Sequence, residues 1–220
     1  MGFIHVDADK TSDTFNMGRL NALIDGVFAI TVTLLVLELR PPESGLADLG
    51  KFLAGMLPRL YIYILAFYSI ANHWIVQQRT FRHITSGDSQ ILWLTMLNLL
   101  FITLMPASTA LVGRYPGDSL ALACFSANSF FHALVSWIFW TYVARNQEKF
   151  AAGSESRLLA ITVRVWLFIS IGWLLSILFG FINRYLTYAS WVLWPNLVAA
   201  WAARRRRLLM VEMPDLAEGQ

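Results

Sequence analysis

Six apolar windows constrain this chain more than any other feature, each about the 20 residues that a helix needs to cross hydrocarbon at 1.5 Å per residue. They fall at 20–39, 57–76, 91–112, 120–143, 158–182 and 185–203. Turn and loop signals separate them: "RPPESG" at 40–45, "HITSGDS" at 83–89, "GRYPGDS" at 113–119, "RNQEKFAAGSES" at 145–156 and "NR" at 183–184. The stretch 46–57 reads as an amphipathic lead-in to the second window. Charge is scarce, at 14% of residues, where a soluble domain carries about 25%. The chain therefore reads as an all-α membrane protein of six transmembrane helices with no soluble domain beside them. Its divisions are a short N-terminal segment, 1–19, the membrane unit, 20–203, and a basic-then-acidic tail, 204–220. The first window is too long for the apolar core of a cleavable signal peptide. The single Cys124 rules out a disulfide framework.

Orientation follows from Lys and Arg in the flanks. Lys10, Arg19, Arg79, Arg82, Arg145, Lys149, Arg157 and Arg204 to Arg207 fall on one side, eleven in all. Arg40, Lys51, Arg59, Arg114 and Arg184, five in all, fall on the other, and Arg164 lies within the fifth window. An even number of spans puts both termini on the richer side, which the charge rule makes the cytosol.

The first window is the unusual one. "GRLNALIDGVFAITVTLLVLEL" carries Arg19 at its start, Asp25 inside it and Thr31 and Thr33 near its middle. Six residues apart, Arg19 and Asp25 point about 120° away from each other, so they cannot pair along one face. An acid inside a span is costly and faces a bundle interior or cavity; Arg19 also suits a headgroup anchor. Gly26, Ile30, Thr33 and Leu37 share a stripe. That stripe fits close helix packing, with Thr33 bonded to its own backbone. It equally fits a pore lining, with Ile30 and Leu37 as apolar constrictions and Thr33 as a hydroxyl layer.

In the second window His73 and Gln77 share a face near the depth of Asp25, which makes His73 an expected partner for that acid. Trp74 and Gln78 follow them. In the third, Asn98 reads as interhelical glue and Pro106 as a kink that frees a backbone carbonyl. His132, Arg164, Pro195 and Asn196 carry no spacing that marks a site. Trp74, Trp140 and Trp194 near window ends suit interfacial belts. The run Arg204 to Arg207 suits an anchor for the last helix, with anionic-lipid binding second; no basic fold accompanies it to bind nucleic acid. H-E-x-x-H, G-x-S-x-G, a phosphate loop and paired acids within spans are all absent from the sequence, so no enzyme, cofactor or resident metal is implied.

Taken together, these residues resemble the transmembrane protein 175 family of potassium channels. The family's first-helix motif, R-x-x-x-F-S-D before an apolar Thr-containing run, is similar to Arg19 through Asp25, with Leu23 and Ile24 in place of Phe and Ser. "HWIVQQRTF" resembles the end of its second helix, with Gln77 and Gln78 where paired histidines are common. "ILWLTMLNLLFITLMPASTALV" resembles its third. The likeness covers about 19–112 well and the rest by span count.

The resemblance implies a pore lined by the first helix, an apolar gate at Ile30, a hydroxyl layer at Thr33, and a structural clasp made by Arg19 and Asp25. Leu37 is then a second narrowing. One six-helix unit per chain implies the prokaryotic kind, a homotetramer in the cell membrane. A single helix per chain cannot enclose a pore, so about four copies around an axis are needed on physical grounds too. The partners implied are K+, lipid and the chain itself. The alternative is a secondary or proton-coupled transporter using Asp25 and His73, which would call for inverted repeats; the sequence has none.

Overall fold

The computed structural model describes residues 17–39, 49–81, 84, 86–151 and 156–212. Most of the terminal segment 1–19, the first loop 40–45, residues 46–48 of the lead-in and the acidic end of the tail, 213–220, lie outside the described residues. The described elements are helical: α1 (Met17–Leu35), a 3-10 turn (Val36–Leu39), α2 (Leu49–Phe81), α3 (Ser89–Thr103), α4 (Met105–Arg114), α5 (Ser119–Arg145), the short α6 (Gln147–Phe150), α7 (Ser156–Ile182) and α8 (Arg184–Glu212).

Among the described residues, five segments are long and apolar enough to cross a bilayer: α1, 52–79 of α2, α3 with α4 as one broken rod, α5 and α7. They make the chain a multi-pass membrane protein. The sixth expected span is a helix, α8, but its apolar stretch is diluted by Trp, Tyr, Pro195 and Asn196 before the Arg204 to Arg207 run. The expected lead-in, from Leu49 onward, is continuous with the second span.

Side chains define the helix ends. Asp88 caps α3, accepting from the Ile91 amide at 3.1 Å, and Asp118 caps α5, accepting from Leu120 and Ala121 at 2.9 and 3.0 Å. The third span breaks at Leu104, two residues before Pro106. Proline lacks an N–H and crowds the preceding turn, and Asn128 of α5 donates to the Phe101 carbonyl at 3.0 Å beside the break.

At the centre α5 packs on α7. Ser126, Ser129, Ala133 and Ser136 recur on α5 at spacings of three and four and are all buried. Ser176 and Gly180 meet that helix from α7: the two serine hydroxyls of 126 and 176 lie 3.0 Å apart, and a Cβ on Gly180 would sit 3.6 Å from the Ala123 amide. Small residues let backbones approach, which is how helices associate where lipid is as apolar as leucine. Trp191 of α8 donates to Ser176 at 2.8 Å, and Ser190 reaches it at 3.1 Å, so α8 joins the same hydroxyl cluster. The belt expected of the tryptophans is not formed by Trp140, which is buried against Phe81 and Phe139, because its helix runs through the protein interior. Trp194 instead lies over Gly172 and donates to the Phe168 carbonyl at 2.8 Å.

A Cβ on Gly172 would come within 2.0 Å of the Trp194 ring. Gly172→Ala therefore displaces the indole and costs about 1–3 kcal/mol, with the loss largely removed when Trp194 is also changed to Leu; thermal unfolding of the four corners of that cycle checks it.

Outside the spans, Asp88 accepts from Tyr142 Oη at 2.8 Å and pairs with Lys149 Nζ at 3.1 Å. Burial pushes its carboxyl up, but the Ile91 amide, Tyr142 and Lys149 outweigh this and hold it below the ordinary carboxylate range. Its contribution is full above the unfolded value, near pH 4, and is lost as pH falls through the lowered folded value. Asp88→Ala should cost about 1 kcal/mol as a lost cap. Asp88→Asn, which still caps, should cost less and remove this acid-sensitive part, read from unfolding midpoints between pH 3 and 6.

Candidate functional site

The helical period of α1 divides it into two faces. Leu20, Ile24, Phe28, Thr31 and Leu35 are buried against the rest of the chain. Gly26, Ile30 and Thr33 point away from it: Ile30 is 61% exposed, and a Cβ on Gly26 would meet nothing within 4 Å. The two threonines differ accordingly. Thr31 is on the packing seam and donates to the Val27 carbonyl at 2.8 Å. Thr33 is on the outward face and donates to the Ile30 carbonyl at 2.8 Å, which leaves its oxygen lone pairs free to accept. Leu37 lies in the 3-10 turn that follows Leu35, where each residue turns about 20° further than in an α-helix. It is 44% exposed and borders a recess of about 420 Å³ with Arg59, Tyr63, Thr109 and Arg114.

Asp25 fastens α1 to α2. One carboxylate oxygen accepts from Trp74 Nε1 at 2.9 Å and from Gln78 Nε2. Trp74 and Gln78 are four apart and present one face of α2. His73 and Gln77 occupy the adjoining face, rotated by about 100°, so the expected Asp25–His73 pairing is not formed. The reason is this phase: the His73 face turns toward α5 and α7. There His73 Nδ1 lies 2.6 Å from the Ser69 carbonyl, its ring centroid is 4.4 Å from that of His132, and it stacks on Trp166. The transporter reading thus loses the protonatable pair on which it relied. Arg19 is exposed and, among the described residues, has no hydrogen-bond or ionic partner. Asn98 donates to Ser136 Oγ at 2.6 Å and ties α3 to α5.

Sequence reasoning passed over the serine cluster at 126, 176 and 190, the Asn128 cap and the neighbourhood of His132. His132 is buried with both ring nitrogens unpartnered among the described residues. Each of these depends on helices 14 to 65 residues apart meeting, for which linear spacing carries no signal. A pattern of small residues at threes and fours was the one available clue.

Comparison with known proteins places this geometry in context. The family described as "Endosomal/lysosomal potassium channel TMEM175" matches over residues 19–106, the part containing α1 and the Asp25 clip. Potassium channel B446_29190 of Streptomyces collinus is 26% identical over 79% of this chain and 86% of its own length. Potassium channel Cha6605_3372 of Chamaesiphon minutus is 33% identical over 50% of this chain and 54% of its own. The fold is similar to the crystal structure of a lysosomal potassium-selective channel TMEM175 homolog from Chamaesiphon minutus, with a TM-score of 0.74 and 24% identity over 84% of this chain and 97% of that one.

Removing the shared acceptor leaves two donors on α2 without their partner. Asp25→Ala should cost about 1–3 kcal/mol, and Asp25→Asn, which keeps an acceptor oxygen, clearly less. In double-mutant cycles read by thermal unfolding, Asp25 should couple to Gln78 by about 0.5 kcal/mol or more and act additively with His73.

Proposed function

We propose that this chain, whose residues 19–106 match the TMEM175 family, forms a potassium-permeable ion channel in which four copies of α1 surround the ion path. One observation carries this reading: α1 is anchored by its buried face and by Asp25, while Gly26, Ile30 and Thr33 face away from the chain's own core. One helix cannot enclose a path, so symmetry must supply the other walls.

In that arrangement Ile30 forms an apolar collar. No oxygen there replaces an ion's hydration shell, so passage requires partial dehydration. Potassium, larger than sodium, holds its water less tightly and crosses such a collar at lower cost. Thr33, one turn on, offers an oxygen immediately beyond the collar. Leu37, within the 3-10 turn, forms a second, looser narrowing beside Arg59 and Arg114. Asp25 acts on structure rather than on the ion, by holding α1 at the angle α2 dictates, and exposed Arg19 serves as a headgroup anchor at the start of the helix. Trp74, Asn98 and His73 hold the wall behind it. The Lys and Arg distribution supports cytosolic termini and a cell-membrane location, with α8 as a sixth span that ends at Arg204. A channel makes and breaks no covalent bond, and neither enzyme chemistry nor a cofactor is part of this reading.

Ile30→Asn should raise single-channel conductance several-fold and move the reversal potential under a potassium/sodium gradient toward zero in planar bilayers. Currents of unchanged size and selectivity would contradict the collar, and a detergent-corrected mass other than four 25.0 kDa chains would contradict the symmetry.

A further inference from the structure

α2 and α8 do not close on each other. They are linked by Tyr68 Oη donating to Asn196 Oδ1 at 3.0 Å, and a cavity of about 350 Å³ lies between them, α5 and α7. That size is within the range of roughly 300–1,000 Å³ typical of small-molecule sites. Its wall on α2 runs from Leu65 to Arg79 and on α8 from Trp191 to Arg206, so it extends about 20 Å at 1.5 Å per residue. Both arginines are the last lining residues of their helices and so stand together at one end. The deeper wall is aromatic, with Phe125, Trp166, Trp173 and Trp191.

Of the four consecutive arginines, 204, 205 and 207 are exposed and Arg206 alone is partly buried. Its Nε is buried without a partner, and among the described residues no acid pairs with either Arg206 or Arg79. Burial and the like charge of Arg79 both weigh against the Arg206 cation. Two guanidiniums side by side, one of them partly desolvated, call for an anion with several acceptor oxygens. A small soluble anion would satisfy the arginines and leave the aromatic wall unfilled.

We infer that this cavity binds one anionic phospholipid, its phosphate between Arg79 and Arg206 and one acyl chain along the aromatic wall. Basic pockets between membrane helices hold acidic headgroups by the same electrostatics. Here the site is internal to a single chain and separate from the α1 stripe, so it does not depend on the channel reading.

Binding can be read without currents. The delipidated full-length protein in detergent is titrated with phosphatidylglycerol, with phosphatidylcholine of the same acyl chains, and with inorganic phosphate, using native mass spectrometry and thermal shift. Phosphatidylglycerol should bind at one copy per chain, at least tenfold tighter than phosphatidylcholine, and phosphate should give no shift. Arg206→Gln should weaken phosphatidylglycerol about tenfold while exposed Arg205→Gln leaves it unchanged. Ala199→Leu, which fills the cavity without altering charge, should weaken it as well. Equal losses at positions 205 and 206 would reduce the effect to surface charge and overturn the site. Stabilisation by phosphate alone would overturn the lipid as occupant. So would phosphatidylglycerol binding that appears only after Asp215→Asn and Glu218→Gln, which would make the acidic tail the natural occupant.

Discussion

The close approach of α5 and α7 holds up the remainder of this molecule. Hydrocarbon offers no hydrophobic gain for bringing helices together, so association depends on small residues and on hydrogen bonds between helices. Ser126 and Ser176 provide both at one point. The other helices attach to this pair: α8 through Trp191 and Ser190, α3 through Asn98 on Ser136, α4 through the break that Asn128 supports, and α2 through the rings of His73, His132 and Trp166. In this arrangement α1 packs on α2, α3 and α4 and lies on the flank of the bundle.

That placement bears on how α1 can work. A pore helix must present an apolar stripe to the axis and still be held firmly, and these demands conflict unless a polar contact fixes the helix from behind. Asp25 supplies such a contact through Trp74 and Gln78. The carboxylate does so five residues before Ile30 in the middle of α1, about 7.5 Å along the axis, leaving the Ile30 level uncharged. Thr33 satisfies its own hydroxyl proton on the Ile30 carbonyl, so its oxygen can face outward at no cost in unmade hydrogen bonds.

Several features were legible in the linear chain because they depend on neighbours in sequence. The apolar windows gave the helices, since length and hydropathy are local properties; Pro106 gave the break; the period of α1 separated Thr31 from Thr33. Other readings failed where two helices had to be phased against each other. His73 and Trp74 are adjacent, and a rotation of about 100° between them decides which one meets Asp25; nothing in α2 alone sets it. Trp140 looked interfacial from its position near a window end, yet α5 is the interior helix, and this is a property of the whole bundle.

From the sequence alone came a helical membrane chain, the basic flank, an acid that had to find a partner on another helix, and the residues that could line a pore. Those depend on the period of a single helix and on the cost of burying charge. The partner of that acid, the serine seam, the inward turn of Arg206 beside three like neighbours and the cavity beneath it were decided by tertiary structure. Each requires two helices distant in sequence to adopt one rotation and one depth, and that choice is made by packing over many side chains at once.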